Sequence, residues 1–397
     1  MLTIKIADKF IKNFNNKISK IFLFFVLMAI ASYSFHSYAN VEKNIRYEVV
    51  FDAGSSGTRA YLYQINKDVM KITPLFDVEK KLPLEKVDDI KTELINPMLG
   101  EIATFLLQEH QIKPDEVVVS ILGTAGMRKV TESQQKEIYV RAKEAVSDNN
   151  FKPGEFRTIS GQEEGVYAWV DVNYLNGTLE KKKTKGIIEI GGSSAQIAFA
   201  TDKTKHQDDN IMSIKINDIN HNVYAVSFLG LGSNDFNLSI TEKSEKDFCY
   251  PKEYNENNIS GNFSLEKCSA IVDSILTQFP NLKKLTQNKE FYNSEFFAIS
   301  GLYQTLNFFG MKDEDKTGLT NKIKDLCKKD YSDIVIYSEN RDKYNTFNKC
   351  ANAVFANELL FNVLNLPSSH IKAMKKINNT DIRWALGYAI LSNKPNG

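Results

Sequence analysis

Short runs rich in apolar, β-branched and aromatic residues cover 47–51, 59–65, 117–122 and 156–159, and each reads as a strand. Between them, 88–108 and 131–147 carry apolar residues at spacings of three and four, the period of a helix with one buried face. A second series starts with "KGIIEIGGSSAQIAFAT" (185–201) and "NVYAVSFLG" (222–230), two further strand-rich stretches. Helical patterns then follow at 264–279, 301–309, 318–329 and 350–364. The chain closes on "DIRWALGYAILSNK" (381–394), a helix too apolar to be a free tail. Strands alternating with helices predict an α/β architecture of packed layers. One polar pattern occurs twice at a bend between apolar runs: Asp52-x-Gly54-x-Ser56 and Glu189-x-Gly191-x-Ser193. Two such hairpins about one domain length apart point to a duplicated unit.

The 397 residues suffice for two domains with separate cores. Fifty Lys and Arg balance 49 Asp and Glu, so no overall field recruits nucleic acid or an anionic membrane. The N-terminus is less neutral. Lys5, Lys9, Lys12, Lys17 and Lys20 precede the uncharged run "IFLFFVLMAIA" (21–31), and small residues follow at Ser37 and Ala39. Residues 1–39 therefore read as a signal peptide, with an uncleaved anchor as the alternative. Either places the remainder outside the cytosol, periplasmic or secreted, with no lasting membrane span once the peptide is removed. Cys249, Cys268, Cys327 and Cys350 agree with export. Of three possible pairings, the local one is expected, 249 with 268 and 327 with 350; a zinc site lacks any C-x-x-C spacing. Asn-x-Ser/Thr triplets at Asn176, Asn258 and Asn262 say little in so Asn-rich a chain.

Four Gly-rich polar turns end strands: "DAGSSGTR" (52–59), "GTAGMR" (123–128), "SGQEEG" (160–165) and "EIGGSSAQ" (189–196). Strand-end turns with fanned N–H groups and hydroxyls are what phosphate binding requires. A P-loop is excluded because no glycine is followed by lysine, and neither G-x-S-x-G nor H-E-x-x-H occurs. Carboxylate chemistry remains. Asp52 and Glu189, on facing turns, suit a hard cation held largely through waters, Mg²⁺ or Ca²⁺. Glu164 can serve as general base to a water, whereas Glu163 reads as an acid complementing the first turn of a helix.

Taken in order, these blocks resemble those of the nucleoside triphosphate diphosphohydrolase, or apyrase, family. "DAGSSGTR", "GTAGMR", "SGQEEGVYAWVDVNYL" (160–175), "IIEIGGSSAQIAF" (187–199) and "WALGYAI" (384–390) match its five motifs. "NVYAVSFLGLGSND" (222–235), "CYPKEY" (249–254) and "FAISGLYQTLNFF" (297–309) add further likeness. The resemblance implies two ribonuclease-H-like domains of the actin and sugar-kinase superfamily, 41–161 plus 378–397 and 162–377, with the active site in the cleft between them. It implies an exported monomer that removes terminal phosphates from nucleoside tri- and diphosphates. Carried over by position, Glu164 is the base, and Ser194 and Gln196 hold the attacking water. Asp52 and Glu189 order the cation's waters, and Ser55, Ser56, Gly57, Thr58, Thr124, Ala125, Gly191, Gly192 and Ser193 contact phosphate. Arg128 either reaches phosphate or braces its loop, and Trp169 and Trp384 read as core.

Two positions depart from the family pattern. Glu189 stands where Asp is usual, one methylene longer, and Lys349 stands where many members place an aromatic that stacks on the base. Tyr303, Tyr344 and Phe347 are the remaining candidates for base contact. Two other functions fit many of the same residues. An exopolyphosphatase of the same superfamily shares the acid-x-Gly turn and the S-G-x-E-E stretch, and a nucleotide-binding protein with little turnover shares the fold.

Overall fold

The structure, a computed structural model, describes residues 44–393 except 70, 182, 217, 312–315, 340 and 344. The expected export segment and Tyr344 lie outside the described residues. The first hairpin is long: β1 (Ile45–Gly54) and β2 (Gly57–Asn66) pair antiparallel along their whole length around the first polar turn. β3 (Lys71–Lys80) adds to β2, and β4 (Val117–Gly123) lies parallel to β1. The helical stretch before β4 centres on α1 (Asn96–Phe105); after it come α2 (Ala125–Arg128) and α3 (Glu132–Asp148), the latter started by a Thr131–Gln134 capping box. β5 (Lys152–Thr158) joins parallel to β4 and leads into α4 (Gly161–Leu175). The sheet order is β3-β2-β1-β4-β5.

The second sheet repeats this plan. β6 (Gly186–Ile190) and β7 (Ser194–Ala200) form the second hairpin, β8 (Ile211–Ile216) and β9 (Ile219–Leu229) extend it on the β7 side, and α5 (Ser233–Thr241) follows. Beyond a small hairpin of β10 (Asn255–Glu256) and β11 (Ile259–Ser260), β12 (Phe296–Ser300) and β13 (Ile371–Ala373) pair in parallel on the other side of β6. The order β8-β9-β7-β6-β12-β13 is the first sheet's topology with one extra edge strand, β8. β3, β8, β12 and β13 go beyond the strands expected from sequence.

Helices α6 (Leu265–Leu276), α7 (Gly301–Phe308), α8 (Lys316–Cys327) and α9 (Lys349–Asn357) cover the outer face of the second sheet. Both disulfides are there, Cys249–Cys268 and Cys327–Cys350, paired locally as expected. The final helix, α10 (Trp384–Ser392), instead crosses α4 in a central layer between the two sheets. The period of two along each strand explains the layering. Val49, Phe51 and Ala53 face the first sheet's outer core, while Val50 faces the central one. Ile188 and Ile190 face the second sheet's outer core, while Ile187 faces the central one.

Candidate active site

That parity also places the acids. Asp52 shares the face of Val50, and Glu189 that of Ile187, so the two echoing acids point inward from opposite sheets. Ser194 and Gln196 share the inward face of Ala198 on β7. Because β1, β4 and β5 run parallel, their C-terminal ends meet on one edge. Backbone bonds tie these ends together, from Thr124 N to Ala53 O (3.1 Å) and from Ile159 N to Gly123 O (2.9 Å). The two Gly-rich hairpin turns approach each other across the cleft. A Cβ built on Gly192 would lie 2.5 Å from Ser55 Oγ, so a side chain here would push the Ser55 hydroxyl out of its place between the turns.

The third acid arrives on α4. Ser160 caps this helix and Glu163 closes the box, its carboxylate accepting from Ser160 N at 2.8 Å and pairing with Arg157 at 2.9 Å. Glu163 is thus a capping residue, and the next residue, Glu164, points into the cleft, 7% exposed. Its Oε2 is paired with the Arg128 guanidinium and accepts from Gln196 Nε2 at 3.1 Å. Gln196 Nε2 also reaches Ser194 Oγ (2.6 Å) and Ser227 Oγ (3.1 Å), while its Oε1 is buried without a partner among the described residues. Arg128 pairs with Glu164 and donates to Ser227 Oγ.

Asp52 faces Arg59 across the hairpin at 3.9 Å. Glu189 Oε1 accepts from Ser300 Oγ at 2.7 Å; its Oε2 is buried and has no partner among the described residues. Burial pushes the Glu164 carboxyl up to about 8 against the pull of Arg128, and Glu189 and Asp52 raise it further. Burial likewise raises Glu189 to about 7, with Ser300 opposing and Asp52 adding to the rise. Asp52 is raised by burial and pulled back by Arg59, Arg383 and Trp384. Three inward acids, each raised first by burial, with Asp52 and Glu189 adding to the rise of Glu164, form a site that calls for positive charge.

The remaining predicted residues divide. Ser55, Ser56, Gly191, Gly192, Ser193, Thr124 and Ala125 lie on the strand-end turns that line this cleft, and Gly57 (φ 149°) makes the first bend. Ser193 Oγ donates to Asp235 (3.0 Å) and accepts from Lys129 (3.0 Å), a contact that bridges the two halves. Thr58 sits differently: it is fully buried, and its hydroxyl donates to Leu82 O at 2.8 Å, anchoring the turn from behind. Tyr303 is half-buried on α7, and Phe347 stacks on Tyr254 with ring centroids 5.3 Å apart. Lys349 is turned inward, 4% exposed, paired with Asp342 and 5.3 Å from the Phe308 ring. Trp169 is core, as expected. Trp384, buried at the start of α10, is more than core, because it helps to pull the Asp52 carboxyl back down. Ser227 and Ser300 also meet the acids and Gln196, and the sequence did not single them out; only their places at strand ends could have marked them.

The sequence pattern of the GDA1/CD39 (nucleoside phosphatase) family matches residues 38–396. The chain belongs to the GDA1/CD39 family. The resemblance read from the five blocks is borne out, and this is an enzyme of the nucleoside phosphatase class. Among GDA1/CD39 relatives it is similar to the nucleoside-triphosphatase ntp-1 of Caenorhabditis elegans, 27% identical over 91% of this chain and 76% of that protein. It is also similar to the human nucleoside diphosphate phosphatase ENTPD5, 28% identical over 88% of this chain and 87% of that protein. The fold agrees: a crystal structure of nucleoside triphosphate hydrolases from Neospora caninum superposes with a TM-score of 0.67 at 14% identity, covering 92% of this chain and 96% of that one. A Ppx/GppA protein of Aquifex aeolicus superposes with a TM-score of 0.54 at 14% identity, over 87% and 97%. The two ribonuclease-H-like halves expected from the sequence are those of this GDA1/CD39 member.

Proposed function

We propose that the protein is an apyrase, hydrolysing nucleoside tri- and diphosphates to the monophosphate by direct attack of water on the terminal phosphoryl group. The observation that carries this reading is the convergence of Asp52, Glu189 and Glu164 between two Gly-rich phosphate turns. Glu164 is the base. It takes a proton from a water positioned by Ser194 and Gln196, whose partnerless Oε1 is a ready acceptor. The water oxygen bonds to the terminal phosphorus, the anhydride P–O bond breaks, and the shortened nucleotide leaves as the base retains the proton. Ser55, Ser56, Thr124, Ala125, Gly191, Gly192 and Ser193 hold the phosphates.

The acids fit a divalent cation, Mg²⁺ or Ca²⁺. Among the described residues no three ligating side chains are close enough to wrap an ion directly, yet Glu189 Oε2 is buried with no partner, which suits contact through water. Asp52 and Glu189 would hold that ion's waters, and when bound it supplies charge neutralisation to the terminal phosphates. With Lys349 turned inward onto Asp342, base recognition is either loose or built from other residues, Tyr303 and Phe347 among them. The cleft lies between domains of 41–161 plus 378–397 and 162–377. Two disulfides support an exported protein, and among the described residues no helix is long and apolar enough to cross a membrane.

The test is phosphate release by the purified protein from ATP, ADP, GDP and polyphosphate side by side, with Mg²⁺ or Ca²⁺. Release from ATP, ADP and GDP that stops at the monophosphate and ends with EDTA is expected. Release from polyphosphate alone would assign the protein to exopolyphosphatase chemistry. Nucleotide binding without release would make it a binding protein.

A further inference from the structure

Ser300 ends β12 with φ 55° and ψ −129°. A side chain at positive φ belongs to glycine, with Asn and Asp the usual exceptions. Among the described residues most other non-glycine positions with positive φ are Asn, Asp, Gln or Glu in turns, including Asn150, Asn345 and Asn378. Ser300 is instead at the end of a strand in the middle of a sheet, paired in register with Ile190 beside Glu189. The next residue is crowded too: a Cβ on Gly301 would lie 2.7 Å from Ile190 O, so the chain passes close over β6 as it enters α7. A glycine at 300 would satisfy this backbone without strain. The serine supplies one thing that glycine lacks, a hydroxyl, and that hydroxyl donates to Glu189 Oε1 at 2.7 Å. Strain of this kind at a cleft, with no packing gain, marks function over stability.

Glu189 has reason to need the bond. It is 8% exposed, its chain has one more rotatable bond than Asp, and its second oxygen has no partner among the described residues. We infer that Ser300 is a positioning residue, pinning Oε1 of Glu189 so that Oε2 stays aimed into the cleft toward the divalent cation. This rests on the reading that Glu189 orders that cation's waters. Held by one oxygen, the longer acid presents the other at a fixed point; released, it would sample several rotamers and hold the ion poorly.

The experiment measures Mn²⁺ binding to the full protein by electron paramagnetic resonance, with a non-hydrolysable ADP analogue present, alongside melting temperature and steady-state kinetics. The variants are Ser300→Gly, Ser300→Ala and Glu189→Gln. Ser300→Gly removes the hydroxyl while relaxing the backbone, so it is expected to fold at least as stably as the native protein. It should nonetheless bind Mn²⁺ about tenfold more weakly, the loss typical of one hydrogen bond to a charged group. Ser300→Ala should weaken binding equally, and in both the apparent constant for metal should move more than kcat at saturating metal. Native Mn²⁺ affinity in Ser300→Gly, with Glu189→Gln weakened, would overturn the role of Ser300 alone. Native affinity in Glu189→Gln would overturn the role of Glu189, and that of Ser300 with it.

Discussion

In the proposed reaction Glu164 has to accept a proton while sitting beside two other acids. Burial and those neighbours raise its proton affinity, and Arg128 works against them. Removing its charge while keeping its shape isolates the base: Glu164→Gln is expected to lower kcat by about 10²–10⁴-fold, the span of general base catalysis, with the fold intact by circular dichroism. Native turnover in a folded Glu164→Gln would remove it from that role. The same shifts set a stability profile. Glu164 (about 8), Glu189 (about 7) and Asp52 all titrate above their unfolded values, so the folded state holds these protons more tightly. Stability is then fullest below the ordinary carboxylate range and falls as pH rises through 7 to 8. Without metal, the melting temperature should drop by several degrees between pH 5 and 9, and Glu164→Gln should flatten part of that slope. A level profile in the native protein would mean that the three acids ionise without the cost that burial imposes.

At the scale of elements, the acids depend on one helix crossing. α10 meets α4 at Gly387, where a Cβ would lie 1.9 Å from Tyr167 O, against backbone that cannot swing aside. Gly387→Ala must part the two helices. A stability loss of about 1–3 kcal/mol is expected from such overpacking. Because α4 carries Glu164 three residues before Tyr167, kcat should also fall, by roughly tenfold or more, at temperatures far below melting. A lowered melting temperature with native kcat would show that α4 does not carry the displacement to its first turn. Much of this frame was legible in sequence. The two hairpins showed as repeated acid-x-Gly-x-Ser turns, and the start of α4 as acids in the first turn of a helix. β3 was not legible, because it is an edge strand with exposed charges and Pro74 inside it. The register shift between Leu62 and Tyr63 accommodates that proline opposite Tyr63. β12 was missed because a five-residue buried run leading straight into a helix has no period that separates it from the helix. The site followed the same division. Asp52, Glu164 and Glu189 stood out as acids in polar turns, while Ser300 and Trp384 join them only through pairing of distant strands and packing of the last helix.

The whole molecule has an asymmetry. Both disulfides lie in the outer core of the second half, and the first half's outer core has none. Each closes a short loop, with sequence separations of 19 and 23, so each stabilises by about 3 kcal/mol on the chain-entropy account. Taken alone, that asymmetry has reduction melt the second half first. The central layer argues otherwise. Its one core takes Val50 and Tyr61 from the first sheet, Ile187 and Ala198 from the second, and α4 and α10 between them. If the second half opened alone, that shared face would be exposed on the first half, an apolar loss that links the two transitions. Reduction is thus expected to lower one cooperative melting transition by roughly 10 °C, at about 2 °C per kcal/mol for a chain of this size, without splitting it. Calorimetry with and without reductant decides this. An early separate peak in the reduced protein would mean that the central layer belongs to one half in energy, whatever residues it draws from both.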